Sequence, residues 1–548
     1  MSFVSLRPVS AAAVLALTLL SRSLGAQVSA DTIAVTLLRA VHPWLTRSGA
    51  FADVQRSVRE VRLADTTAGL RWLSATGMPT TAALGTLRHV IADPESAASD
   101  RADAQLLLDA SATAATSTAG RGLFDVGMDI SLARHAFVHC QGRVDPSGVH
   151  AEWSLAPEPV DLGALRRSVT GGADVTVTFT ALEPDTRSYQ LLVRALAAAR
   201  AQDADSAWHL PLAPVRPVAA DGRYKDARAL ATVLVRLGEL PATFPLSSVR
   251  KVYTRPIADA ISRWLNRKLN KSRVSGTLTA PVLAMLLEEY AARGDRIAMA
   301  IERWRWLPRT FSNDPLVVNL PEYRLHTYAR FQGGDVDSLT MNVVIGRADS
   351  NATPVFAANM TQVVFSPMWH VPKSIMLKEI LPAAQADPGY LAKHNYELTS
   401  NGRRVVPITA ANIARIGTTV MVRQKSGDDN SLGKVKFLLP NPYDIYLHDT
   451  PSRELFNRTR RDFSHGCVRL GDPMAMAKYV LASQPAWTDS AITEAMNKGV
   501  ERFVRVTKPI PVLIVYQTAV AEPSGAVRFY NDVYGHDRVL AEALRKAR

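Results

Sequence analysis

Tyr443-Asp-Ile-Tyr-Leu-His448-Asp-Thr-Pro451 sets a histidine at the end of a strand-forming run, and fifteen residues separate it from Ser464-His465-Gly466-Cys467-Val468-Arg469. A thiol attacks an acyl carbon as thiolate, so Cys467 needs a base or a cationic partner that lowers its pKa. Two histidines compete for that part. His465 lies only two positions away and reads as a wall or structural residue, whereas His448 can return to the thiol across a sheet. Gly466 allows a tight backbone turn, and the amides of Gly466 and Cys467 are candidates for holding a developing oxyanion. Arg469 and the cluster Arg458, Arg460 and Arg461 are candidates for substrate carboxylates, although a solvated face is the commoner fate of such charges. Zinc is the rival chemistry, since His448, Asp449, His465 and Cys467 are all competent ligands. The reading finds no paired Cys-x-x-Cys, no His-x-x-x-His on a helix and no extra ligand cluster, so no metal and no other cofactor is expected. A buried inert Cys467, or its disulfide with Cys140, is a further alternative.

Around this pair the texture is β-rich. Ser338-Leu-Thr-Met-Asn-Val-Val-Ile345, Gln362-Val-Val-Phe365, Asp444-Ile-Tyr-Leu447 and Val512-Leu-Ile-Val-Tyr516 are β-branched or aromatic runs bounded by Gly, Pro and Asn, and predict strands. The long stretch 372–440, with helical pieces near Ile375 to Leu381 and the loop Gln424 to Gly433, predicts an inserted lid. Upstream, Asp31 to Leu212 is mostly helical, with amphipathic runs at Ala104 to Ala115 and Tyr189 to Ala201, and nothing in it looks catalytic. Apolar residues recur at helical spacing through Ile130 to Cys140, which makes Cys140 a buried small hydrophobe. Pro211-Leu-Ala-Pro214-Val-Arg-Pro217 then breaks the chain before a helical segment over 224–292. There Thr279 caps a last apolar helix ending near Leu287.

At 548 residues, with 47% hydrophobic and 21% charged positions, the chain has the size and composition of about three to five folded domains. Its net charge of +14 favours anionic surroundings. Arg7, the apolar stretch Val9 to Leu20 and the small residues Ser23, Gly25 and Ala26 predict a secretory signal over 1–26, too short to span a bilayer. Export argues against nucleic acid as partner and leaves envelope polymers to meet the positive charge.

His448, the fifteen-residue gap and the Ser-His-Gly-Cys-Val-Arg string resemble the signature of the L,D-transpeptidase (YkuD-type) catalytic domain. Glu302-Arg-Trp-Arg-Trp-Leu-Pro308, Val364-Phe-Ser-Pro-Met-Trp369-His-Val-Pro372, Asp387-Pro-Gly-Tyr390 and Asp532-Val-Tyr-Gly535 extend the likeness to the large periplasmic YcbB-type subfamily. Gly142-Arg-Val-Asp-Pro146 and Trp153 resemble that subfamily's scaffold domain, and 224–292 is similar to the three-helix peptidoglycan-binding module. Arg469 departs from the Asn of the shorter members.

The resemblance implies a multidomain α+β chain: a helical scaffold over 31–212, a peptidoglycan-binding-like helical module over 224–292, and a mainly β catalytic domain over 301–541 carrying the lid. It implies that Cys467 attacks the meso-diaminopimelate carbonyl of a donor tetrapeptide stem and expels D-Ala, with His448 taking the thiol proton and the Gly466 and Cys467 amides holding the oxyanion. An acceptor amine would then resolve the thioester as a 3→3 cross-link. Trp369 and Tyr446 would line the substrate channel with the insertion around Tyr390 as its cap, Ser464, His465 and Arg469 are further substrate-binding candidates, carbapenems would acylate Cys467, and the enzyme would work in the periplasm or cell envelope on peptidoglycan, with no membrane span in the mature form. A thiol-dependent hydrolase or carboxypeptidase and a non-catalytic wall-binding scaffold are the alternatives.

Overall fold

The computed structural model describes residues 57–61, 70–327 and 339–547 apart from short interruptions, so the expected signal over 1–26 lies outside the described residues. Two units are present: one comprises the chain up to Asp145 with Pro157–Pro184 and the last seven residues, the other Pro146–Ala156 with Asp185–Ala541. No helix among the described residues is long and apolar enough to cross a membrane.

The first unit is helical. Thr80 stops the preceding loop by accepting the Ala83 amide on its hydroxyl, a cap that opens the helix Thr81–Ala92. The helices Ala98–Ala114, Thr118–Gln141, Leu162–Thr170 and Val175–Thr180 follow. They close over Trp72, Leu87, Phe124, Met128 and Phe179, each nearly inaccessible to solvent. Inside this core Asp129 accepts the Trp72 indole N–H at 2.8 Å and an Arg166 guanidinium at 3.2 Å, so its buried charge is compensated.

In the second unit the helices Arg187–Ala204, Ala227–Arg236, Arg255–Lys268, Ala280–Ala291 and Arg293–Arg305 enclose one apolar core. Thr279 caps the fourth of these through the Val282 amide. Gly276 is required where it stands, because a Cβ there would lie 2.0 Å from the Ala258 carbonyl oxygen. Leu230, Leu234, Ile261 and Trp264 are buried in this core together with Val317 and Leu513 of the following sheet. Each such side chain contributes about 1.5–3 kcal/mol by burial, and the helices are thereby fixed to the sheet.

The strands that follow are β1 (Leu316–Asn319), β2 (Arg324–Thr327), β3 (Thr340–Gly346), β4 (Phe356–Phe365), β5 (Trp369–His370), β6 (Tyr396–Ser400) and β7 (Arg404–Val406). Then come β8 (Val420–Gln424), β9 (Val435–Leu438), β10 (Leu447–His448), β11 (Asp462–Ser464), β12 (Val468–Leu470) and β13 (Arg502–Val515). The main sheet runs β11-β3-β12-β10-β9-β4-β13-β1-β2, and β2 also pairs with β3, so the sheet closes on itself. Its interior is filled by Val343, Ile345, Val363, Phe365, Phe437, Leu447 and Val468, all fully buried. Most pairs are antiparallel, but β10 and β12 run parallel, with Leu447 opposite Val468 and His448 opposite Arg469.

Between β4 and β9 the chain leaves the closed sheet. It forms a second sheet, β5-β8-β6-β7, with short helices between Lys373 and Ala386 and a core of its own around Ile375, Ile380, Leu391, Leu398 and Val422. The lid expected over 372–440 is thus a folded insertion whose C-terminal end, β9, belongs to the main sheet.

Candidate active site

Leu447 and Val468 face each other in register and are both fully buried in the closed sheet. Side chains alternate along a strand, so Tyr446, His448, Cys467 and Arg469 emerge on the opposite face. The parallel register sets Cys467 beside Tyr446, with the Val468 amide donating to the Tyr446 carbonyl at 3.1 Å, and sets His448 beside Arg469. These side chains line one cleft of about 820 Å³, together with Trp369, Tyr390, Ser464 and His465.

His448 is 4% exposed. Its Nδ1 lies 2.5 Å from the carbonyl oxygen of Asp449. A carbonyl only accepts, so Nδ1 carries the proton and Nε2 keeps its lone pair. Asp449 is itself fixed, accepting the Lys434 amide at 2.9 Å and an Arg453 guanidinium at 3.2 Å. Burial, and then the Arg469 charge, push His448 down to about 3. Burial pushes the Cys467 thiol up to about 11, against hydrogen bonds from the Tyr446 backbone and hydroxyl and the charge of Arg469. At neutral pH the two groups therefore rest as thiol and neutral imidazole.

Tyr446 does more than line the cleft. Its backbone and its hydroxyl face the sulfur and pull the thiol down against the burial, and the Trp369 side chain acts in the same direction on the Tyr446 hydroxyl. The thiol donates to the Asp444 carbonyl at 3.6 Å. Asn441 staples this approach, accepting the Tyr443 and Ile445 amides and donating to the Ile445 carbonyl at 2.7 Å.

The turn before Cys467 is held by Ser464. Its hydroxyl donates to the Cys467 carbonyl at 2.6 Å and accepts the Gly466 amide at 3.2 Å. The Gly466 amide is therefore engaged inside the turn, and the Cys467 amide is the backbone donor beside the sulfur that makes no hydrogen bond among the described residues. In an unbroken strand His465 and Cys467 would share a face. Gly466, at φ +117°, breaks that alternation. His465 instead lies 2.6 Å from the Glu379 carboxylate of the insertion and 3.4 Å from the Arg347 guanidinium. A Cβ on Gly466 would also meet Ile445 at 3.1 Å. Gly466→Ala is expected to lower stability by about 1–3 kcal/mol and, by displacing Cys467, to reduce turnover roughly 10²-fold, read by urea unfolding alongside an acylation assay.

Of the arginines singled out in the sequence, Arg469 lines the cleft. Arg460 is paired with Asp462, while Arg461 donates to the Val343 and Tyr323 carbonyls and lies over the Tyr323 ring. Tyr390 stacks on Tyr396 in the insertion. Neither Cys467 nor Cys140 is in a disulfide. The four side chains weighed as zinc ligands do not converge: His465 turns to Glu379 and Asp449 to Arg453. The expectation that no His-x-x-x-His lies on a helix is wrong: His135 and His139 form such a pair in the first unit.

A closed sheet with an inserted subdomain over a cysteine–histidine cleft is matched by a known family: residues 314–505 match the L,D-transpeptidase catalytic domain, YkuD. The chain carries a YkuD-type L,D-transpeptidase catalytic domain, and its residues 65–196 match the Scaffold domain. It is also similar to a Haemophilus influenzae protein named "putative L,D-transpeptidase", with 34% identity over 247 residues covering 45% of this chain and 48% of that relative. The chain thus spans about half the length of the curated relative it matches.

Proposed function

We propose that the protein is an exported cysteine L,D-transpeptidase that forms 3→3 cross-links between peptidoglycan stem peptides. The observation that carries this reading is the single cleft that brings the Cys467 sulfur together with His448, whose proton is fixed on Nδ1. In acylation a bond forms between the sulfur and the diaminopimelate carbonyl carbon, and the C–N bond to D-Ala breaks. The thiol proton passes through His448 Nε2 to the leaving amine. The Cys467 amide and Arg469 are the groups near the sulfur suited to the oxyanion and the substrate carboxylates. The side-chain amine of an acceptor then attacks the thioester, the C–S bond breaks, and the amine proton returns through His448 to the sulfur. Trp369, Tyr390 and the insertion would enclose the stem peptide, with the 224–292 module and the +14 charge favouring an anionic wall.

The test is to incubate the purified protein with disaccharide-tetrapeptide fragments and follow products by mass spectrometry. Cross-linked dimers that have lost one D-Ala are expected. Trimmed monomers alone would establish the hydrolase instead, and unchanged substrate would leave a wall-binding scaffold.

A further inference from the structure

The helix Thr118–Gln141 places His135 and His139 one turn apart on one face, directed at Asp93 at the end of the helix Thr81–Ala92. The Asp93 Oδ2 lies 3.0 Å from His139 Nε2 and 3.7 Å from His135 Nε2, and one ligand atom from each of the three residues falls within 4.8 Å of the others. A tetrahedral zinc with bonds of about 2.0–2.1 Å separates its ligand atoms by about 3.4 Å, between the two observed distances. The two outer nitrogens are also held. His139 Nδ1 lies 2.6 Å from the Glu183 carboxylate, and His135 Nδ1 lies 3.3 Å from the Ser96 hydroxyl. Metal-ligating histidines characteristically bond their second nitrogen in this way, which fixes the ring and its tautomer.

Burial and charge favour the same occupant. The His135, His139 and Asp93 side chains are 2%, 7% and 10% exposed, and Phe179 packs edge-on against His135. Asp93 further stands at a helix C-terminus, where a carboxylate is disfavoured unless a cation faces it. Nitrogen ligands select a borderline transition ion over calcium or magnesium.

The geometry points to a divalent transition-metal site of the zinc type in the first unit, with His135, His139 and Asp93 as ligands, Glu183 and Ser96 orienting the rings, and one position left for water. The site lies outside the thiol chemistry and serves to tie helices of this unit together.

The chain is stripped with chelator and titrated with Co²⁺, then Zn²⁺. One equivalent of Co²⁺ with tetrahedral visible bands is expected, displaced by Zn²⁺, with Zn²⁺ raising the melting temperature. His135→Ala and His139→Ala should each abolish the bands, and Cys467→Ala should leave them intact. Glu183→Gln, which retains the three ligands, should weaken affinity about 10–100-fold at unchanged stoichiometry. No tetrahedral cobalt spectrum in the native chain, or bands that survive His135→Ala and vanish in Cys467→Ala, would overturn the assignment.

Discussion

Cys467→Ala is expected to reduce turnover by roughly 10⁴-fold or more, the range found when a covalent nucleophile is removed. The variant should still fold. The side chain is only partly buried, and its removal loses the thiol's hydrogen bond to the Asp444 carbonyl, a change of about 1 kcal/mol. Cys467→Ser should be nearly as inactive, although it keeps the shape and a hydrogen-bonding atom. An imidazole held down at about 3 is a sufficient base for a thiol that becomes acidic as it attacks, but far too weak for an alcohol. Intact mass after incubation with a carbapenem supplies an independent reading. A covalent adduct should appear on the native protein and on neither variant, and an adduct on Cys467→Ala would place the nucleophile elsewhere.

His448→Gln should lower acylation by roughly 10²–10⁴-fold, and its pH profile separates lost base catalysis from lost structure. In the native enzyme the imidazole is neutral above about 3, so acylation should hold its rate well below the ordinary histidine range. Without His448 only pre-formed thiolate attacks. Burial holds that thiol near 11, and the rate should then fall about tenfold for each pH unit below it. The native-to-variant ratio must therefore grow as pH falls, and a ratio independent of pH would remove His448 from proton transfer. Stability carries the same sign. The folded state refuses a proton that an unfolded His448 accepts near 6.5, so stability is lost as pH falls from there toward 3, and the variant should be spared that loss.

The β-branched runs at Ser338 to Ile345 and Val512 to Tyr516 were legible as strands because their side chains suit a pleated, buried surface, and Thr340 to Ile345 and Val512 to Val515 lie in β3 and β13. The run Asp444 to Leu447 is different: Asn441 captures its first residues in a stapled loop, and the strand is only Leu447–His448. Cys467 and His448 stand out in sequence because few residue types perform acyl chemistry. The placing of Tyr446 beside the sulfur was not legible, since it follows from a parallel register between segments joined by a long connection. The same limit applies to His135 and His139, where an apolar stripe drew the reading toward core packing while Asp93 and Glu183 lie far away in the chain.

Phe365 at the end of β4 pairs with Val435 at the start of β9, so the insertion leaves and re-enters the closed sheet at neighbouring points. Because the free energy of closing such an excursion grows only with the logarithm of its length, segments of very different size fit the same two anchor points. The insertion keeps a hydrophobic core separate from that of the sheet. Mutational drift in the insertion is therefore insulated from the strands that carry the sulfur and the imidazole, and the wall it lends to the cleft can diverge over a fixed closed sheet.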